Sequence, residues 1–214
     1  MIKIERFECN MFQENCYVVS DETGECVIVD CGALYEEERT AVVDYIRKNK
    51  LKPRHLLCTH GHLDHNFGDN TILENFGLKP EVSQKDEPLL KNLQAQAQAL
   101  LGMNFGEKTP EAGNFIDEDS VIEFGSHKFS VVSTPGHSPG SVMFYCKEEK
   151  VVFSGDTLFK MSIGRTDFMM GSYSDIIESL HRIAKLLPAD TVVLPGHGEQ
   201  TTIGFEEKHN PYMK

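Results

Sequence analysis

Arg54-His55-Leu56-Leu57-Cys58-Thr59-His60-Gly61-His62-Leu63-Asp64-His65 joins a short apolar run to a loop that carries three imidazoles and a carboxylate within six positions. Residues 54 to 58 read as a strand, and the donors begin where it ends. Neutral imidazoles and carboxylates are the groups Zn²⁺ takes at about 2.0 to 2.2 Å, and loop positions let alternate side chains turn toward one point. The same arrangement returns three times: His137 in Thr134-Pro135-Gly136-His137-Ser138, Asp156 in Phe153-Ser154-Gly155-Asp156-Thr157, and His197 in Leu194-Pro195-Gly196-His197-Gly198. Each follows an apolar strand beside a glycine, whose backbone freedom aims a side chain inward. Four strand ends thus deliver His60, His62, Asp64, His65, His137, Asp156 and His197 to one rim. His55, His127, His181 and His209 have no such setting and receive no role.

Outward from these motifs, Asn15–Ser20 and Glu25–Asp30 form a hairpin around Asp21-Glu22-Thr23-Gly24. A second set of strands runs from Val121 through Gly125 and Ser126 to Val132, and continues over Ser141–Cys146 and Val151–Ser154. Amphipathic helices are expected over Glu36–Lys50 (Val42, Val43, Ile46) and in the segment opened by Ser174 (Ile176, Ile177, Leu180, Ile183, Ala184, Leu187). The Gln94–Ala99 run favours helix, and Gly102–Asp119 reads as a long surface loop without a domain boundary.

The 214 residues, 40% hydrophobic and 25% charged, are enough for one sizeable core, so a single domain over residues 1-214 is expected. A net charge of -12 repels phosphate backbones and anionic headgroups, which makes nucleic acid and membranes poor partners. The first residues lack an apolar secretion signal, and no run approaches the roughly 20 apolar residues of a membrane span, so a cytoplasmic location is expected. None of the six cysteines lies in a C-x-x-C pair, and most sit in apolar runs as free, buried thiols.

The order Thr-His-x-His-x-Asp-His, Pro-Gly-His, Gly-Asp, Pro-Gly-His resembles the metallo-β-lactamase superfamily over nearly the whole chain. Asn15-Cys16-Tyr17, Val29-Asp30-Cys31-Gly32, Gly155–Phe159, Ser162–Asp167 and Thr201–Gly204 resemble its short, single-domain glyoxalase II-like hydrolases. The resemblance implies an α/β fold, a four-layer αββα sandwich with the site at one edge of two sheets. It implies two divalent metal ions, zinc foremost with iron or manganese compatible: His60, His62 and His137 on the first, Asp64, His65 and His197 on the second, and Asp156 between them. Asp64 and Asp156 thereby become the catalytic carboxylates. Two such cations share a water, lower its pKa toward ~7 and present hydroxide to a carbonyl. A thiol with a reference pKa near ~8.5 leaves without a proton donor, so a small-molecule thioester, glutathione-linked by the family pattern, is the easier substrate. Arg165, and less so Lys160, stand where longer relatives hold the thiol's peptide, and Asp30 is a candidate to orient a ligand.

Rival readings are a persulfide dioxygenase with one iron, which the Gly164–Phe168 segment also resembles, and a noncatalytic metal-binding module, which would be expected to lack ligands. A lactamase would carry a signal peptide, a nuclease an insertion domain, and a flavodiiron protein a glutamate in place of His62. Gly136-His137-Ser138-Pro139-Gly140 matches the serine-hydrolase G-x-S-x-G form, but that motif needs a helix after the serine, and Pro139 and a strand follow instead.

Overall fold

Alternating apolar side chains between tight turns build two six-stranded sheets, seen in a computed structural model that describes residues 1–102, 104–106 and 109–214. The first sheet holds β1 (Lys3–Cys9), β2 (Glu14–Ser20), β3 (Glu25–Val29), β4 (Lys52–Leu57), β5 (Pro80–Ser83) and β6 (Asn114–Ile116) in that spatial order. Pairing is antiparallel from β1 to β3 and parallel from β3 to β6. Next come β7 (Val121–Phe124), β8 (His127–Ser133), β9 (Val142–Cys146), β10 (Val151–Gly155), the small hairpin β11 (Leu158–Phe159) with β12 (Ser162–Ile163), β13 (Val192–Pro195) and β14 (Thr201–Thr202). The second sheet runs β14-β13-β10-β9-β8-β7.

The inner faces meet in a core that includes Tyr17, Val29, Leu57, Phe129, Phe144 and Phe153. On the outer face of the first sheet lie α1 (Glu36–Lys48) and α2 (Asp69–Phe76), with Val42, Ile46 and Ile72 packed on Val18, Ile28 and Leu56. The short α3 (Glu87–Leu90) and α4 (Leu93–Leu101) form a side cluster with Leu63, Phe67 and Val82. Covering the second sheet are α5 (Tyr173–Leu186) and α6 (Ile203–His209), whose Leu180, Ile183 and Ile203 pack on Met143, Val152 and Val193. The αββα sandwich is therefore present. In α1, Glu36, Glu37 and Glu38 sit in the first turn and Arg47 and Lys48 in the last, matching the helix dipole at both ends. Among the described residues, no helix is long and apolar enough to cross a membrane. All six cysteines are free and buried.

Several boundaries differ from the sequence reading. α1 ends at Lys48, two residues early, and α5 starts at Tyr173 because Ser172 rather than Ser174 caps it, accepting from Asp175 N. The segment expected as a loop over Gly102–Asp119 contains β6, which completes the first sheet by pairing with β5. Residues 103, 107 and 108 of that segment lie outside the described residues. β1 had no strong signal: Lys3, Glu5, Arg6 and Glu8 give an edge strand more charge than apolar periodicity.

One buried carboxyl runs against stability. Asp69 opens α2 with no exposure, and neither carboxylate oxygen has a hydrogen-bond partner among the described residues. Burial pushes its carboxyl well above the usual range, with Cys31 and Asp30 adding to the effect. Below about pH 4 both folded and unfolded chains hold the proton; as pH rises, the unfolded chain ionises first and stability is lost up to the folded pKa. Asp69→Asn is therefore expected to gain on the order of 1 kcal/mol at neutral pH. Paired urea titrations of the two proteins should show the gain fade toward pH 4; a loss at pH 7 would mean the carboxylate is stabilised by an interaction of its own.

Candidate metal centre

Four of the seven donors reach the rim from the turn after β4, where His62 precedes a 3-10 turn over Leu63–His65. His137 follows β8, Asp156 follows β10, and His197 follows β13. Two glycines explain why the chain can turn there. Gly155 has φ +49, and a Cβ on Gly196 would collide with Asp156 Oδ1 and lie 2.6 Å from His65 Cε1. The two sheets are clamped at this edge. Asn15 N donates to Gly196 O at 2.7 Å, and Asn15 Nδ2 and Tyr17 Oη donate to Pro195 O at 2.9 and 2.8 Å.

The protein fixes which imidazole nitrogen faces inward. His137 Nδ1 lies 2.7 Å from Arg165 O and His197 Nδ1 3.0 Å from Phe12 O; carbonyls only accept, so both Nδ1 atoms carry the hydrogen. His65 Nδ1 sits 2.9 Å from Asp30 Oδ2. Thr59 Oγ1 donates to that same oxygen at 2.7 Å and thus accepts from His60 Nδ1 at 3.0 Å. Four rings therefore turn a bare Nε2 into the cavity, while His62 presents Nδ1. Asp30 holds two of the rings, from a left-handed φ of 51° at the end of β3.

These inward atoms face one another too closely for neutral lone pairs. His62 Nδ1 is 2.8 Å from His137 Nε2, and His65 Nε2 is 3.2 Å from His197 Nε2. His60 Nε2 and Asp156 Oδ1 are buried with no hydrogen-bond partner among the described residues. Such orphaned donors are costly unless positive charge lies between them. Asp156 spans the cavity, with Oδ1 3.3 Å from His65 Nε2 and Oδ2 3.5 and 3.6 Å from the Nε2 atoms of His137 and His197. Asp64 Oδ2 is 3.3 Å from His197 Nε2. Three sets drawn wholly from the seven donors could each hold an ion, with all ligand atoms within 4.8 Å: His60, His62 and His137; Asp64, His65 and His197; and His60, His65 and Asp156. The donor set and its orphaned atoms fit a pair of divalent cations.

Electrostatics agree. Burial holds His60 well below the usual histidine range and His62 down at about 4, which keeps both neutral as ligands must be. At His65 burial pushes the same way, but Asp156, Asp64 and Asp30 outweigh it and hold the ring well above its ordinary value. That half of the cavity draws positive charge.

Two supporting residues carried no motif. Asp86, fully buried, accepts from Gly61 N at 2.9 Å, Ser138 Oγ at 2.6 Å and Gly140 N at 2.6 Å, fastening the first ligand loop to the His137 loop. Ser138 is committed to Asp86 and Ser141, and β9 rather than a helix follows, so the G-x-S-x-G match is structural. Glu14, also fully buried, accepts from Gly32 N at 3.1 Å and lies 4.0 Å from His65 Nδ1. Arg165 and Lys160 are exposed and already paired. Asp167 takes Arg165 Nε and Nη2 at 2.7 Å each, the guanidinium lies 4.0 Å from the centre of the Phe168 ring, and Glu199 takes Lys160 Nζ at 2.6 Å.

Comparison with known proteins agrees with this geometry. The sequence profile of the Metallo-beta-lactamase superfamily matches residues 9–197. A hydroxyacylglutathione hydrolase, GloC, of Haemophilus influenzae is 36% identical over 215 residues, covering 99% of this chain and 98% of its own length. The crystal structure of BLEG-1 B3 metallo-beta-lactamase superposes with a TM-score of 0.89 at 34% identity, with all of both chains covered. That of TTHA1623 in a di-iron-bound form gives 0.85 at 33% identity, with 97% of this chain and 99% of the other covered. With the profile spanning most of its length and the αββα layers and ligand order in place, the chain belongs to the metallo-beta-lactamase superfamily.

Proposed function

We propose that this chain, acting as one domain over residues 1–214, is a metal-dependent hydrolase of thioesters of the hydroxyacyl-glutathione type. The observation that carries the reading is the pair of inward-facing nitrogen sets with Asp156 reaching toward both. His60, His62 and His137 would hold one divalent cation, Asp64, His65 and His197 the other, and Asp156 would be shared. When bound, such a pair supplies Lewis acidity, polarising a carbonyl and lowering the pKa of a water. The chain's own residues do the positioning. Asp30 orients His65 directly and His60 through Thr59, while the Phe168 ring packs edge-on against His62 at 5.4 Å. A thioester suits a site of this kind because a thiolate departs without a proton donor. The name of the Haemophilus influenzae relative supports the glutathione part. Zinc, iron and manganese all suit these ligands, and the di-iron-bound relative supports a two-metal site.

The rival with one iron uses two histidines and an aspartate and leaves the Asp64, His65 and His197 set without a purpose. Elemental analysis combined with assays on a glutathione thioester, a glutathione persulfide and a β-lactam separates the readings. About two metals per chain with thiol release supports ours; one iron with oxygen uptake on the persulfide, or turnover of the β-lactam alone, sinks it. At the substrate end, the Asp167 pair leaves Arg165 Nη1 for a ligand carboxylate. Because this guanidinium is exposed and already paired, Arg165→Ala is expected to raise KM for a glutathione thioester by no more than about fivefold, with kcat unchanged. An uncharged thioester of the same acyl group should be unaffected; equal losses on both would mean Arg165 supports the loop instead.

A further inference from the structure

A half-open cleft of about 500 Å³ lies behind the His197 turn, lined by Ile4, Tyr17, Val151, Val192 and Leu194 from both sheets. It exists because β14, at this edge of the second sheet, is two residues long and leaves the inter-sheet core uncovered. Ile4, Val151 and Val192 pack against that core yet remain partly exposed. One cation serves the cleft. Arg6 Nη1 donates to Asn15 Oδ1 at 3.2 Å and Gly198 O at 3.4 Å, both neutral acceptors, and the residue makes no ion pair among the described residues. Arg54, Arg165 and Arg182 are paired with Glu25, Asp167 and Glu118. Arg47 likewise donates to a neutral acceptor, Asn75 Oδ1 at 2.7 Å, but Arg6 is the arginine that lines the cleft. The other charged lining residue, Glu199, is taken by Lys160 at 2.6 Å.

We propose that this cleft is a second ligand site, separate from the metal centre, for an amphipathic carboxylate: an apolar tail between the sheets and a carboxylate on Arg6. The volume falls within the roughly 300 to 1,000 Å³ usual for small-molecule sites, and the lining has their make-up of apolar walls with a polar group placed to orient the ligand. A guanidinium donates two parallel N–H bonds to a carboxylate, a pairing that a neutral or cationic amphiphile cannot reproduce. A protein strand fits less well, since the neighbouring edge strand β1 carries Lys3, Glu5, Arg6 and Glu8, charges that discourage strand addition. The site shares Gly198 with the His197 turn but none of the seven donors, so it does not depend on the proposed reaction.

The test is a methyl-resolved NMR titration of the full-length, zinc-loaded protein with octanoate, 1-octanol and acetate up to about 10 mM, a range that detects millimolar affinities. Octanoate is expected to shift the methyls of Ile4, Val151, Val192 and Leu194, with 1-octanol weaker and acetate silent there. Arg6→Gln should weaken octanoate by about three- to fivefold, the loss of one exposed charged hydrogen-bonding group. Val192→Phe should block it sterically while Arg6 remains, with spectral dispersion reporting that each variant is folded. The proposal is overturned if octanoate shifts none of these methyls, if it binds Arg6→Gln or Val192→Phe as well as wild type, if 1-octanol binds equally well, or if the shifts are confined to residues around His62 and His137.

Discussion

Asp156→Ala is expected to lower kcat/KM on a thioester by about 10³-fold or more, about 4 kcal/mol of transition-state stabilisation, and to reduce bound metal together with it. The reason is the position of one carboxylate. Its Oδ1 lies against His65, and its Oδ2 against both His137 and His197. Burial alone would raise this carboxyl, but His65, His137 and His197 hold it well below the usual range. Removing it leaves five converging imidazoles with Asp64 as the remaining counter-charge among the seven donors. Asp156→Asn keeps the shape and loses the charge, so it should fall nearly as far. Metal content by elemental analysis and rate by thiol release are read on the same samples. Near wild-type turnover with full metal content would refute the shared-ligand arrangement.

Asp86→Ala is expected to destabilise the fold by about 3 to 5 kcal/mol, although Asp86 contacts no metal-ligand side chain. Its carboxylate is the acceptor for Gly61 N, Gly140 N and Ser138 Oγ, and truncation leaves the two backbone N–H groups buried and unmet and Ser138 with Ser141 alone. Burial pushes the carboxyl up and the three donors pull it back, the pattern of an acceptor held in place by its bonds. Because Gly61 lies between His60 and His62, metal affinity should fall together with stability. Urea unfolding of the metal-free protein separates the two effects: the midpoint should drop without any metal present. An unchanged midpoint would show that the two loops are fastened by something else.

How much of this was legible beforehand depended on the distance over which each feature is determined. The seven donors could be picked out because a metal centre on strand ends leaves a local signature, an apolar run, a glycine and then a donor, repeated four times within short windows. The amphipathic α1 and α5 were legible for the same reason, since Val42, Val43 and Ile46 or Ile176, Leu180 and Ile183 lie within two turns of one another. The family resemblance supplied the layers. Other features belong to the tertiary structure alone. β6 becomes a strand because β5 offers it a free edge, and Asn114-Phe115-Ile116 by itself has too few residues to show a period. Asp86 acts on Ser138, 52 positions away, and Asp30 on His65, 35 away. Arg165, expected to hold the thiol's peptide, is engaged by a carboxylate two residues on, a pairing that side-chain geometry decides. The local sequence thus determined which donor groups are offered at the strand ends, because ligand type and backbone freedom are properties of short segments. The fold decided which nitrogen each ring turns inward and which charges remain unpaired, because both depend on hydrogen bonds and burial between residues far apart in the chain.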